Sequence, residues 1–459
     1  NSAVATTFTN TVDAASLTTN SGGTVVIHGG RITTSGAQNY NDDVLLDGHT
    51  ILNTTDADVR FYGKLNNNTA TASNLSVNAG AGAVTFSGAV GNTTALSSLT
   101  TDAGTAGSVA INGGVVHTTG TQIYGEAVTM GVATTLIASN VTFENTVTGS
   151  DSLSVVGATT INGASVTTTG AQSYSGAMTL GADTTLDAGA GNITLSGTVN
   201  DAVIGTHNLT LNSTGITTLQ AAVGNTAALS SVTTNAGGTL VMNGGSVNTT
   251  GAQSYGEAVT LGVATTLTAS DVTFTDTVTG TSLSVVGTTT LNGGSVTTTG
   301  AQSYSGAMTL GADTVLDAGA GSITLGSTVD SATSTAKTLT LNSTGTTTLG
   351  GAVGGNHALA SLATNAGGTL VMNGSSVSTT GTQSYGEAVT LGSAMALNAS
   401  GVTFANTVNG TSLSVVGTTT LNGGSVTTTG AQSYSGAMTL GADTVLEAGA
   451  GNITLGGTV

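Results

Sequence analysis

Internal repetition constrains this chain more than any other feature. The string TTGAQSY occurs at 168–174, 249–255, 298–304 and 428–434, and variants of it end at Tyr124 and Tyr385. Tyr174, Tyr304 and Tyr434 are spaced by 130 residues, and Tyr124, Tyr255 and Tyr385 by 131 and 130. Two interleaved copies therefore make one repeat of about 130 residues, the signature of a unit that buries its apolar face only by stacking on its neighbours. The segment 40–64 diverges, yet Tyr40, Val44, Asp58, Val59 and Phe61 align with Tyr255, Val259, Asp271, Val272 and Phe274. Residues 1–64 are thus read as a more charged copy of the repeat, and residues 1–459 as one continuous segment of a longer array, because NITLGGTV at 452–459 is in phase with NITLSGTV at 192–199.

Turn signals share the rhythm: IHGG at 27–30, INGG at 111–114, MNGG at 242–245, and LNGG at 291–294 and 421–424. Asn-Gly favours a turn because both residues tolerate positive φ. Between the turns, apolar residues sit two apart, as in Leu283 with Val285, Ile193 with Leu195, and Val272 with Phe274. That is strand alternation, one face inward and a Thr/Ser face outward. Helical spacing is not sustained, and the glycine and β-branched content opposes helix.

Strands this short solve their burial problem by winding into a coil. With about 18 strand pieces per repeat and three per coil, there are roughly six coils per repeat and some 21 in all, spanning about 100 Å at ~4.8 Å per coil. The expected fold is all-β, a parallel β-solenoid. Stacking also protects β-prone segments that would otherwise aggregate.

Composition fits a thin, repetitive core. Only 6% of the 459 residues are charged and 38% are apolar, with no proline, cysteine or tryptophan. A mean hydropathy of +0.27 separates the chain from disordered sequences. The 22 acids against Arg31, Arg60, Lys64 and Lys337 give a net charge of −18, which repels phosphate backbones and anionic headgroups, so neither nucleic acid nor membrane insertion is expected. Apolar runs only a few residues long leave neither a signal peptide nor a transmembrane helix to be read.

The strings TTGAQSYGEAVTLGVATTL at 249–267, AVGNTAALSSVTTNAGGTL at 222–240 and VTFTDTVTGTSLSVVG at 272–287 resemble the filamentous-haemagglutinin-like exoproteins of two-partner secretion, especially their repetitive biofilm-matrix members. The resemblance covers nearly the whole chain. It implies a right-handed parallel β-helix, export through an outer-membrane secretion pore, a bacterial cell-surface or extracellular location, and a role in cell–cell or cell–matrix adhesion. The family's secretion domain carries Asn-Pro motifs, and with no proline in this chain that domain is expected to lie elsewhere.

No catalytic, cofactor-binding or metal-binding residue is assigned from sequence, and no cofactor is expected. A β-helical polysaccharide lyase would need clustered carboxylates with an Arg or Lys. Here Lys337 is the one base after position 64, and Asp183, Asp187, Asp313, Asp317, Asp443 and Glu447 recur with the repeat. His28, His49, His117, His207 and His357 have no metal-ligand spacing. Asp42, Asp43 and Asp47, near Asp56 and Asp58, form the densest acidic group, which reads either as a weak hard-oxygen cation site or as a solvated loop. The seven repeat tyrosines read either as sugar-stacking rings or as a structural ladder. Sequons such as those at Asn53, Asn140 and Asn212 are what this composition yields by chance. The expectation is a non-enzymatic structural adhesin stalk or matrix fibre whose partners are extracellular polysaccharide or identical chains. The alternatives are a self-assembling filament subunit and, further off, a Thr-lined ice-binding solenoid.

Overall fold

A computed structural model describes residues 4–68, 72–103, 106–333 and 335–459. They form an all-β parallel β-solenoid of about 22 turns, and no helix occurs among the described residues. The repeating structural unit is the turn of about 20 residues, shorter than the sequence period of about 130. The chain divides into two compact units, Asn1–Thr239 and Leu240–Val459, and each is built in the same way.

In the first unit, three parallel rows of strands run through successive turns. One row takes in Thr121–Tyr124, the second half of Thr134–Phe143, the second half of Leu153–Ile161, Met178–Leu180 and Val199–Asp201. Within the strands, burial alternates residue by residue, as in Ala83–Phe86 and Ser108–Ile111. Parallel register then places like upon like: Val116, Leu136, Val155, Tyr174, Leu195 and Leu219 stand in one buried column. The second unit repeats the pattern with Leu267, Val285, Tyr304, Leu325, Leu349, Met372 and Leu391. Each fully buried side chain in such a column contributes about 1.5–3 kcal/mol of transfer free energy. Outward positions align too, giving rows such as Thr129, Thr148 and Thr167, or Thr142, Thr160 and Thr179.

The turn chemistry differs from the expectation in one respect. Among the described residues Asp56 is the one non-glycine with positive φ, so the asparagines of the Asn-Gly-Gly strings do not use the left-handed region. In LNGG it is the second glycine, Gly294, that does so, at φ +78°. Gly293 instead lies so close to the Asp276 carbonyl of the preceding turn that a Cβ would overlap it, and Asn292 Oδ1 fills the space that a Cβ on Gly311 would need. The motif therefore joins a turn to two close inter-turn approaches.

Some corners need no loop. Thr265–Phe274 runs through a corner by a register irregularity between Thr268 and Asp271, and its neighbour Leu283–Leu291 follows with Gly287 at φ +130°. A Cβ at Gly287 would also overlap the Ala269 carbonyl oxygen. Gly287→Ala is therefore expected to cost more than about 2 kcal/mol, from backbone strain plus steric clash, read as a lowered midpoint in urea unfolding.

Candidate functional site

The seven repeat tyrosines, Tyr40, Tyr124, Tyr174, Tyr255, Tyr304, Tyr385 and Tyr434, are at most 1% exposed, so none can present a ring to a sugar. They belong to a corner motif that recurs wherever the string T-x-G-x-Q-x-Y occurs. In one copy the Tyr174 hydroxyl donates to Gln172 Oε1 at 3.0 Å. The Gln172 amide nitrogen lies 3.0 Å from the Val166 carbonyl, 3.2 Å from Thr168 Oγ1 and 2.7 Å from the Asp187 carbonyl of the next turn. Thr168 Oγ1 in turn donates to the Gly170 carbonyl at 2.6 Å. A fully buried amide thus finds partners on its own turn and the following one, which is what makes its burial tolerable. Desolvation pushes the Tyr174 phenol well above its ordinary pKa, so it stays a hydrogen-bond donor. Four of the rings also stack on phenylalanines one turn on, Tyr40 on Phe61 at 5.1 Å, Tyr124 on Phe143 at 5.7 Å, Tyr255 on Phe274 at 5.5 Å and Tyr385 on Phe404 at 5.4 Å.

The acidic group near the start does not converge on a point. Asp42 Oδ1 accepts from the Gly23 amide at 2.7 Å, Asp43 Oδ1 from the Lys64 amide at 2.7 Å, Asp56 Oδ1 from the Ala81 amide at 2.9 Å, and Asp58 Oδ1 from the Ala83 amide at 2.8 Å. Asp58 also pairs with Arg60, and Asp47 lies 2.7 Å from His28 Nδ1. These carboxylates fasten one turn to another, and no group of three or more acids, histidines or cysteines able to hold a metal occurs among the described residues.

The repeated acids behave likewise. Asp183 accepts from the Asn208 amide at 2.9 Å, and Asp313 from the Thr338 amide at 2.9 Å. That amide, helped by the adjacent Lys337, holds the Asp313 carboxyl below its usual range. Asp187 and Asp317 each cap a glycine two residues on, at 3.0 Å. The histidines are scattered over separate turns. His49 Nδ1 accepts from the Asn74 amide at 3.1 Å, and the His357 amide donates to Asp330 at 3.0 Å.

Two features escape sequence reading. The first is an open cleft of about 710 Å³ lined by Met308, Thr328, Asp330, Asn356 and His357. Its carboxylate is already committed to the Asn356 and His357 amides at 2.9 and 3.0 Å and to the Asn356 side chain at 3.2 Å. The second is a set of buried glutamates, Glu126, Glu257 and Glu387, exposed by 0, 1 and 1%. Burial pushes the pKa of Glu126 up to about 7, with Asp102 adding to the rise. It does the same for Glu387 against partial opposition from the Thr364 and Thr347 hydroxyls. The signal was present in the strings Y-G-E at 124–126, 255–257 and 385–387, where an acid stands in phase with a buried tyrosine.

The most elaborate polar loop is the one after Asp201. This buried carboxylate accepts from the amides of Val203 at 3.2 Å, Thr206 at 2.9 Å and His207 at 2.9 Å, and lies 2.6 Å from His207 Nδ1. Burial works to raise its pKa, but the His207 amide and imidazole, with the Thr206 and Val203 amides, outweigh it and hold the carboxyl below its ordinary value. The loop so held presents Val203 and Ile204, 61 and 65% exposed.

No family model, no curated protein and no solved structure matches this chain.

Two outcomes follow from these networks. Tyr174→Phe leaves Gln172 Oε1 buried without its donor and is expected to cost about 1–2 kcal/mol in chemical unfolding. Asp201→Ala strands three amides and an imidazole and is expected to cost about 3 kcal/mol. The wild-type contribution of Asp201 should be complete above the ordinary aspartate range and lost as pH falls through its depressed folded value, which thermal unfolding of both proteins below pH 4 would reveal.

Proposed function

We propose that this chain is an extracellular structural segment, a stalk or matrix fibre of the bacterial adhesin type without catalysis, built on a right-handed β-helix whose side-chain pattern recurs about every 130 residues. The observation that carries this reading is register. Inward columns of Leu, Val, Met and Tyr and outward rows of Thr and Ser continue from turn to turn within each unit. Within each unit such a chain repeats one kind of turn, and its polar networks join one turn to the next. The resemblance of 222–287 to filamentous-haemagglutinin-like exoproteins supports the same assignment and suggests passage through an outer-membrane pore. Adhesion would then act through polysaccharide or through identical chains laid side by side.

In the native host, antibodies against residues 240–459 are expected to label the cell surface or the surrounding matrix, and their Fab fragments to reduce attachment between cells. Labelling confined to the cell interior, or attachment unchanged at saturating Fab, would count against the proposal.

A further inference from the structure

Glu387 and Glu126 occupy an unusual environment for acids. Both oxygens of each carboxyl are buried without a hydrogen-bond partner of normal geometry. Glu387 Oε1 shares the space above the Cα of Gly368 with the carbonyl oxygens of Ser343 and Gly345, and Glu126 Oε1 lies above Gly107 beside the Gly80 carbonyl. The polar groups facing Glu387 are therefore two carbonyl acceptors and the Thr347 and Thr364 hydroxyls, with Thr364 Oγ1 already accepting from the Gly386 amide at 3.2 Å. The titratable group facing Glu126 is Asp102, itself held by the Ala79 and Gly80 amides at 3.2 and 2.9 Å. No described ion pair reaches either glutamate. The carbonyl oxygens beside each carboxyl repel its ionised form, which at Glu387 the Thr347 and Thr364 hydroxyls offset only in part, whereas a carboxylic acid there has a proton to donate.

Asp42 supplies the contrast. It also stands two residues after a buried tyrosine, but its shorter side chain takes the Gly23 amide through Oδ1 at 2.7 Å. The glutamates replace that bond with a longer arm folded over a glycine.

We propose that Glu387 and Glu126 are carried as neutral acids in the folded solenoid and act as proton-dependent latches, so that alkaline conditions loosen the turns that follow Tyr385 and Tyr124. The sign is fixed by linkage. An acid that ionises near its ordinary value of 4.5 in the unfolded chain but near 7 in the fold makes folding take up protons. Stability therefore declines as pH rises from about 4.5 to about 7, and stays low above that. This is opposite to the contribution of Asp201, and it implies a structural segment that tightens in acidified surroundings.

The test compares thermal unfolding of the 459-residue chain with that of the double variant Glu126→Gln, Glu387→Gln between pH 5 and 8.5. Glutamine mimics the shape of the neutral acid. The wild-type midpoint is expected to fall over this range by about 2–5 °C more than that of the variant, and the histidines, common to both, cancel in the comparison. Parallel curves would overturn the proposal. Infrared spectra of the wild type alone provide a second readout that does not depend on the variant folding: a protonated-carboxyl band should persist at pH 6 and fade by pH 8.5. Its absence at pH 6 would equally overturn the idea.

Discussion

Hydrogen bonding between successive parallel turns is the constraint from which the rest of this architecture follows. A strand in one turn offers its amides and carbonyls to the next, so register continues although paired residues lie 19 apart at Val25 and Val44 and 25 apart at Val84 and Val109, the corners taking up the difference. Once register is kept, a side chain buried in one turn lies over a side chain buried in the next. Alternation along the strand then becomes columns along each unit. Core, outer surface and corner chemistry are all consequences of this single repetition.

The corners show how polar groups are accommodated in so thin a core. A buried glutamine would ordinarily be a liability. Here Gln172 is satisfied by Val166, Thr168, Tyr174 and Asp187 at once, and the same arrangement returns at Gln302 with Val296, Thr298, Tyr304 and Asp317. The network does for the interior what strand pairing does for the backbone: it ties each turn to the one after it. Glycines serve the complementary purpose where backbones come too close for any side chain, as Gly287 does against Ala269.

Much of the fold was legible because the apolar period of two and the recurrent Asn-Gly strings leave little else for such a chain to form. Leu283 with Val285 and Val272 with Phe274 are buried in alternation as their spacing implies. The part played by asparagine was not legible, since side-chain stacking between turns depends on which residues come to lie one above another. The role of the acidic cluster, left open between a cation site and a solvated loop, was not legible for a similar reason. Asp43 and Asp56 are near in sequence, yet each reaches a different amide about one turn onward, 21 and 25 residues away. The buried glutamates were hidden by their chemistry, because an acid in a strand is normally read as facing water, and only the position of the neighbouring tyrosine fixes its phase.

Repetition at the scale of the turn has a mechanical corollary. A turn of about 20 residues has a contour of roughly 70 Å when drawn straight, against a strand separation of about 4.8 Å while it stays wound. Peeling away a single turn therefore releases more than ten times the length that the turn occupied, at the cost of one layer of hydrogen bonds and one layer of core. Under tension such a segment can pay out slack in discrete steps while the layers beneath remain intact, absorbing load where a rigid tether of the same dimensions would snap.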